Sequence, residues 1–230
     1  MGWSVRSNKQ AGSVEVARQG GHVAEMQRRR LLLAFGEVAS TSGLEAATVG
    51  RVCEQAAVSR RTFYELFSDR EDCLLAAFDQ AIERFARRIR PAFQAKGSWG
   101  ERVRGALSLL LEQLDGEPDV ARLCIVEAPR AGHELLERRR DVLEALATAV
   151  DDGRAQTRSG GGPPPLTAQG VVGGVLSVIH ARLIESSSPS TAGSQGNGRA
   201  KSGGGAGVLV GLTNPLMAMI VHPYLGPIAA

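Results

Sequence analysis

A chain of 230 residues is long enough to bury a sizeable core, as one large domain or two small ones. Its formal charge of +3, from 27 Lys and Arg against 24 Asp and Glu, is too small to mark a partner by itself, but the whole excess lies in residues 1–90, with 14 basic and 11 acidic side chains. Cys53, Cys73 and Cys124 are odd in number, far apart and set among apolar neighbours, which excludes a disulfide framework or a zinc cluster and suits buried thiols in a reducing cytoplasm. The stretch RRRLLLAFGEV imitates a signal peptide but begins too far in, and Glu37 cuts it short; Arg6 stands where N-myristoylation wants Ser or Thr. No run is read as reaching the roughly 18 apolar residues of a membrane span, so the expectation is a soluble, cytoplasmic protein with no membrane partner.

Residues 1–21 are polar and without period and read as a disordered tail. Leu31, Ala34, Phe35 and Val38 then recur at three and four, predicting a helix that Gly43 stops. Thr48 caps a short second helix with Val49, Val52, Cys53 and Ala56 inward, and Ser59 caps a third with Phe63, Leu66 and Phe67 on one side. A fourth runs from about residue 69 to Arg90, where Pro91 is expected to end it. SWGERVRGALSLLLEQL, DVARLCIVEA and HELLERRRDVLEALATAVDD continue the helical theme. After a break at 160–165 comes TAQGVVGGVLSVIHARLIES, then a low-complexity stretch at 187–207 read as a flexible loop, then the apolar VLVGLTNPLMAMIVHPYLG. No alternation of strand period appears, and the fold class is all-α.

Only Ala57 and Val58 separate the second and third helices, which is the helix-turn-helix pattern. With Phe63, Leu66 and Phe67 inward, Arg61 and Glu65 point outward, flanked by Arg60, Thr62 and Tyr64. A major groove admits one such helix, in which arginine takes guanine O6 and N7 while hydroxyls hold phosphates. The plainer alternative is a solvated amphipathic helix.

Residues 26–75, through GLEAATVGRVCEQAAVSRRTFYELFSDREDCLLAAF, resemble the DNA-binding domain of TetR-family transcriptional regulators, with spacing intact at Thr48, Val49, Ala56, Val58, Ser59, Thr62, Tyr64, Phe67 and Arg70. Ala57 departs from the usual turn glycine, Glu65 and Leu66 stand where an aromatic or histidine pair is common, and Arg70 replaces a lysine. The resemblance implies a three-helix DNA-binding domain over 22–70 and a larger helical ligand-binding and dimerisation domain over 71–230. It also implies a homodimer on a double-stranded DNA operator, and a small-molecule effector of unknown identity with no cofactor. Thr48, Ser59, Thr62, Tyr64 and Arg70 would contact phosphate, and Arg60 and Arg61 would read bases; Glu65 would accept from cytosine or exclude phosphate.

The second domain carries no comparable motif. The closing apolar segment, with Val171, Val175, Ile179 and Leu183, is read as a dimer interface, against packing within the chain's own core. Cys124, Glu127 and His180 are candidates for ligand contact; the alternatives are a core thiol, a helix-end charge pair and a satisfied core histidine. The RRR run at 138–140 reads as a solvated face, and the histidines show no metal-ligand spacing. No catalytic arrangement stands out, so the protein is read as not an enzyme. The function expected is a ligand-responsive, sequence-specific transcriptional regulator, a repressor binding a palindromic operator as a homodimer. The alternative is a small-molecule-sensing helical protein with weak, non-operator DNA affinity.

Overall fold

The computed structural model describes residues 9–156, 163–186 and 207–225, with side chains from residue 21 onward. Among the described residues there is no strand. The helices are α1 (Lys9–Ser42), α2 (Val49–Ala56), α3 (Arg60–Leu66), α4 (Arg70–Phe93), α5 (Trp99–Gly116), α6 (Pro118–Arg122), α7 (His133–Asp151), α8 (Thr167–Glu185) and α9 (Thr213–Leu225). The chain divides into two units, Met1–Ala77 and Phe78–Ala230, so the border falls seven residues later than the sequence reading put it, inside α4.

In the first unit Leu31, Ala34, Phe35 and Val38 of α1 are buried, and α1, α2 and α3 pack on one another. α1 reaches back to Lys9, so residues 9–21 are helical where the sequence suggested a tail; the rest of that stretch lies outside the described residues. Gly43 ends α1 at φ 85°, a left-handed conformation that glycine adopts without a Cβ penalty.

In the second unit α5 begins on a complete capping box. Ser98 Oγ accepts from the Glu101 backbone N–H at 3.3 Å, and the Glu101 carboxylate accepts from the Ser98 backbone N–H at 2.8 Å. The Ser98 backbone N–H, and after it the Ser98 hydroxyl donating at 2.9 Å, hold the Glu101 carboxyl below its ordinary range. Pro91 does not end α4 as expected, for the helix continues to Phe93. A proline removes one donor, but so near the end the last turn closes through bonds such as Gln94 N–H to Arg90 O, 3.1 Å.

α9 packs against α5 and α8 of its own chain, burying Leu216, Met217, Ile220, Val221 and Tyr224. Val175, Ile179 and Leu183 of α8 are likewise buried within this unit, which corrects their assignment to a dimer interface. By length and composition alone α8 could cross a membrane, at 19 residues and a mean hydropathy of 1.3. That run was missed in the sequence; here it packs against α7 and α9. The entry to α9 is tied to the end of α5, where the Asp115 carboxylate accepts from the backbone N–H groups of Leu209 (3.0 Å) and Val210 (2.9 Å). Of the loop read at 187–207, only Ser186's neighbour across the gap, Gly207, falls among the described residues; 187–206 lies outside them.

Candidate nucleic-acid interface and effector cavity

The helix-turn-helix is built from local chemistry. Thr48 caps α2 by accepting from Arg51 N–H at 3.4 Å, and Ser59 caps α3 by accepting from Thr62 N–H at 3.0 Å. Between them Ala57 adopts φ 50°, ψ 48°, and its own N–H and that of Val58 close the end of α2 onto Glu54 O and Cys53 O. An alanine there carries the left-handed strain that a glycine would avoid, about 1–2 kcal/mol. The backbone donors of both turn residues, Ala57 and Val58, are thereby used.

Phe63 and Phe67 are buried, with ring centroids 5.5 Å apart, and Arg28 of α1 lies 4.7 Å from the centre of the Phe67 ring. That packing fixes which side of α3 faces out. Tyr64 stands 59 % exposed, edge-on to Phe63. Arg61 is exposed and its Nε donates to Glu65 Oε1 at 3.0 Å, so an acidic neighbour holds the guanidinium on the outer face. Ser59 and Thr62 share a hydroxyl bond of 2.9 Å.

Two of the candidate DNA-contacting residues are placed differently from the simple outward row. The Arg60 guanidinium lies along α2, over Gly50, where an added Cβ would come within 2.6 Å of it. Arg70 is half-buried; its Nε donates to Ala47 O at 2.9 Å and its terminal nitrogen to Leu44 O. These carbonyls close the short 3₁₀ helix Leu44–Ala46, so the arginine binds chain ends 23 and 26 residues earlier. Thr48, Ser59, Thr62, Tyr64 and Arg61 thus share the α2–α3 surface, while Arg60 lies against α2 and Arg70 braces the preceding 3₁₀ helix.

The second unit contains an apolar cavity walled by α4, α5, α7 and α8 and by a π-helical turn, Leu123–Glu127. It offers about 140 Å³ of space, partly open to solvent, between Phe78, Phe85, Leu114, Ile125, Val142 and their apolar neighbours. A π turn interrupts regular helical bonding and re-aims side chains, here Cys124 and Ile125 into the wall. Burial pushes the Cys124 thiol up to about 12, so it stands as a neutral apolar wall atom. Glu127 and His180 do not line this cavity. The Glu127 carboxylate is buried 3.9 Å from the Arg130 guanidinium, the charge-pair alternative of the sequence reading.

Arg139 is the one charged residue in the lining. Its neighbours in the RRR run are paired: Arg138 binds Asp79 and Glu134, and Arg140 lies 3.8 Å from Asp141 and Glu144. Arg139 has no ion pair among the described residues. By sequence alone the three arginines form one solvated face. Helical rotation of 100° per residue separates them, and only tertiary packing shows that the middle one borders the cavity.

Residues 36–77 match the family model described as bacterial regulatory proteins, tetR family. That segment is a TetR-family DNA-binding domain. The chain is 24 % identical over 115 residues to the fatty acid metabolism regulator protein of Bacillus subtilis (strain 168), an alignment spanning 50 % of this chain and 59 % of that protein. Its fold is similar to that of the fatty acid degradation regulator FadR from Bacillus halodurans, with a TM-score of 0.67 at 18 % identity, covering 84 % of this chain and 97 % of the other. The transcriptional regulator FadR from Bacillus subtilis, solved in complex with stearoyl-CoA, gives a TM-score of 0.67 at 18 % identity over 87 % and 99 % of the two chains. The matched TetR-family segment ends at Ala77, where the first unit also ends.

Proposed function

We propose that this chain is a cytoplasmic, DNA-binding repressor that binds a palindromic operator as a homodimer and releases it when a long-chain acyl compound enters the apolar cavity. The observation that carries the reading is the pairing of two parts: a helix-turn-helix with Arg61, Thr62 and Tyr64 held outward by buried phenylalanines, and an apolar cavity bordered by one unpaired cation. The stearoyl-CoA bound to one structural relative supports the acyl class. A saturated chain meets only apolar wall, and its burial supplies affinity in proportion to area removed from water. The outward side of α8 and α9, with Gly170, Ala218 and Met219 exposed, is the surface proposed for the second copy. Thr48, Ser59, Thr62 and Tyr64 remain the proposed phosphate contacts and Arg61 the proposed base reader, with Arg60 lying against α2 and Arg70 bracing the domain.

The effector acts by favouring a spacing of the two recognition helices that no longer matches successive major grooves. The experiment is selection of bound duplexes from a random DNA pool by the full chain, followed by titration of the selected duplex with stearoyl-CoA. Enrichment of an inverted repeat and its release by stearoyl-CoA are expected. Binding with no enriched sequence would refute the operator and leave a sensing module with non-operator affinity.

A further inference from the structure

A second apolar chamber, of about 80 Å³, adjoins the cavity. The two share four lining residues, Ile89, Leu110, Leu146 and Leu176, one from each of α4, α5, α7 and α8. One residue from each surrounding helix makes a ring, and a ring common to two chambers is a collar between them. The remaining lining orders the chambers along three of these helices, while on α8 the second chamber's residues lie on both sides of Leu176. On α4 it runs forward from Phe78 to Phe93, on α7 forward from Arg139 to Val150, and on α5 backward from Leu114 to Val103. All three give one axis with Arg139 at one end, and the second chamber adds no charged residue.

Resting on the acyl reading above, we propose that both chambers form one channel for a single straight acyl chain, with its anionic head at Arg139 and its tail through the collar, so that the collar and the far chamber set chain length. At 1.5 Å rise per residue the lining spans roughly 16 Å along α7 and 22 Å along α4. An extended tetrahedral chain advances about 1.2 Å per bond, so the channel accommodates about 14 to 18 carbons. A shorter chain leaves the far chamber unfilled and forfeits its contacts; a longer one has no wall left to meet. The anionic head is either a free carboxylate or the phosphates of a coenzyme A thioester, and both meet the same unpaired guanidinium.

The test is calorimetric titration of the full chain with octanoyl-, lauroyl-, palmitoyl-, stearoyl- and behenoyl-CoA, and with the matching fatty acids to separate the two heads. For the unmodified protein, affinity should rise by up to about fourfold per added methylene and level off between palmitoyl and stearoyl. Leu146→Phe should weaken stearoyl-CoA by about tenfold or more while leaving octanoyl-CoA nearly unchanged, the scale on which apolar pockets sort chain length. Leu110→Phe places the same obstruction from α5, and melting curves establish that each variant is folded. Arg139→Gln should erase the preference for palmitate over methyl palmitate. If the unmodified protein binds none of these compounds, the acyl reading itself fails. If it binds them with no upper length, or a folded collar variant loses short and long chains alike, the channel is overturned and the acyl reading stands. The unmodified length series decides by itself should no variant fold.

Discussion

Arg70 offers the sharpest separation of a bracing role from a DNA-contacting one. It is the first residue of α4, where a positive charge opposes the helix dipole, so its presence there needs a compensating contact. The structure supplies two, the carbonyls of Ala47 and Leu44. Hydrogen bonds from a charged donor contribute about 1.5–3 kcal/mol each, and partial exposure takes the pair toward the lower end, so Arg70→Ala should cost about 2–4 kcal/mol. The guanidinium carbon also lies 5.8 Å from the Phe35 ring centre, a minor addition. Arg70→Lys keeps the charge but replaces a rigid fork by a point donor that reaches one carbonyl at a time, and should lose about 1–2 kcal/mol. The assay is urea unfolding of each variant, run beside DNA binding at several salt concentrations. If the residue chiefly braces the domain, the lysine variant unfolds earlier while its salt slope is unchanged. A lysine variant as stable as the original, with an alanine variant whose salt slope falls by about one unit per subunit, would refute bracing and favour phosphate contact.

Arg61→Ala, which removes the exposed guanidinium paired with Glu65, should cost about 1–3 kcal/mol per half-site and relax preference at one base pair; a uniform loss over a panel of single-base operator variants would contradict base reading. Gly207→Ala should lower the melting temperature, because its Cβ would sit 2.0 Å from an Asp115 oxygen and must break the bonds holding Leu209 and Val210; an unchanged melt would show that this clamp is slack. Burial raises the Cys73 and Cys124 thiols from 9.0 to about 12, so the folded state keeps protons that the unfolded chain releases between those values. Their contribution is therefore present below pH 9.0 and lost as pH rises through about 12. Urea midpoints of the original and of Cys73→Ala should converge across that window, and native thiols alkylated at neutral pH as fast as free cysteine would contradict the burial.

The parts of this protein that its sequence determined are those held by near neighbours. Thr48 and Ser59 cap α2 and α3 through bonds three residues long, and Gly43 and Ala57 turn the chain with their own backbone angles. Phe63 faces inward by helical period, while Phe67, just past the helix in extended backbone, is buried beside it. Such contacts are written in spacing, and the helix-turn-helix was legible for that reason. α8's length and apolarity were also there to be read, but apolar runs in a core and in a membrane look alike until their surroundings are known. What tertiary structure decided involves partners far away in the chain. Arg70 finds carbonyls 23 and 26 residues back, and Asp115 finds amides 94 and 95 residues on. The same holds for α9, apolar enough in sequence to suit either a partner or its own core, whose buried side is set by α5 and α8. Arg138, Arg139 and Arg140 are identical in type and adjacent in sequence, yet only Arg139 borders the cavity, because Asp79 of α4 and Glu134 and Glu144 of α7 engage the other two. The collar draws one apolar side chain from each of four helices, and no periodicity within a single helix distinguishes Leu146 from the apolar residues beside it.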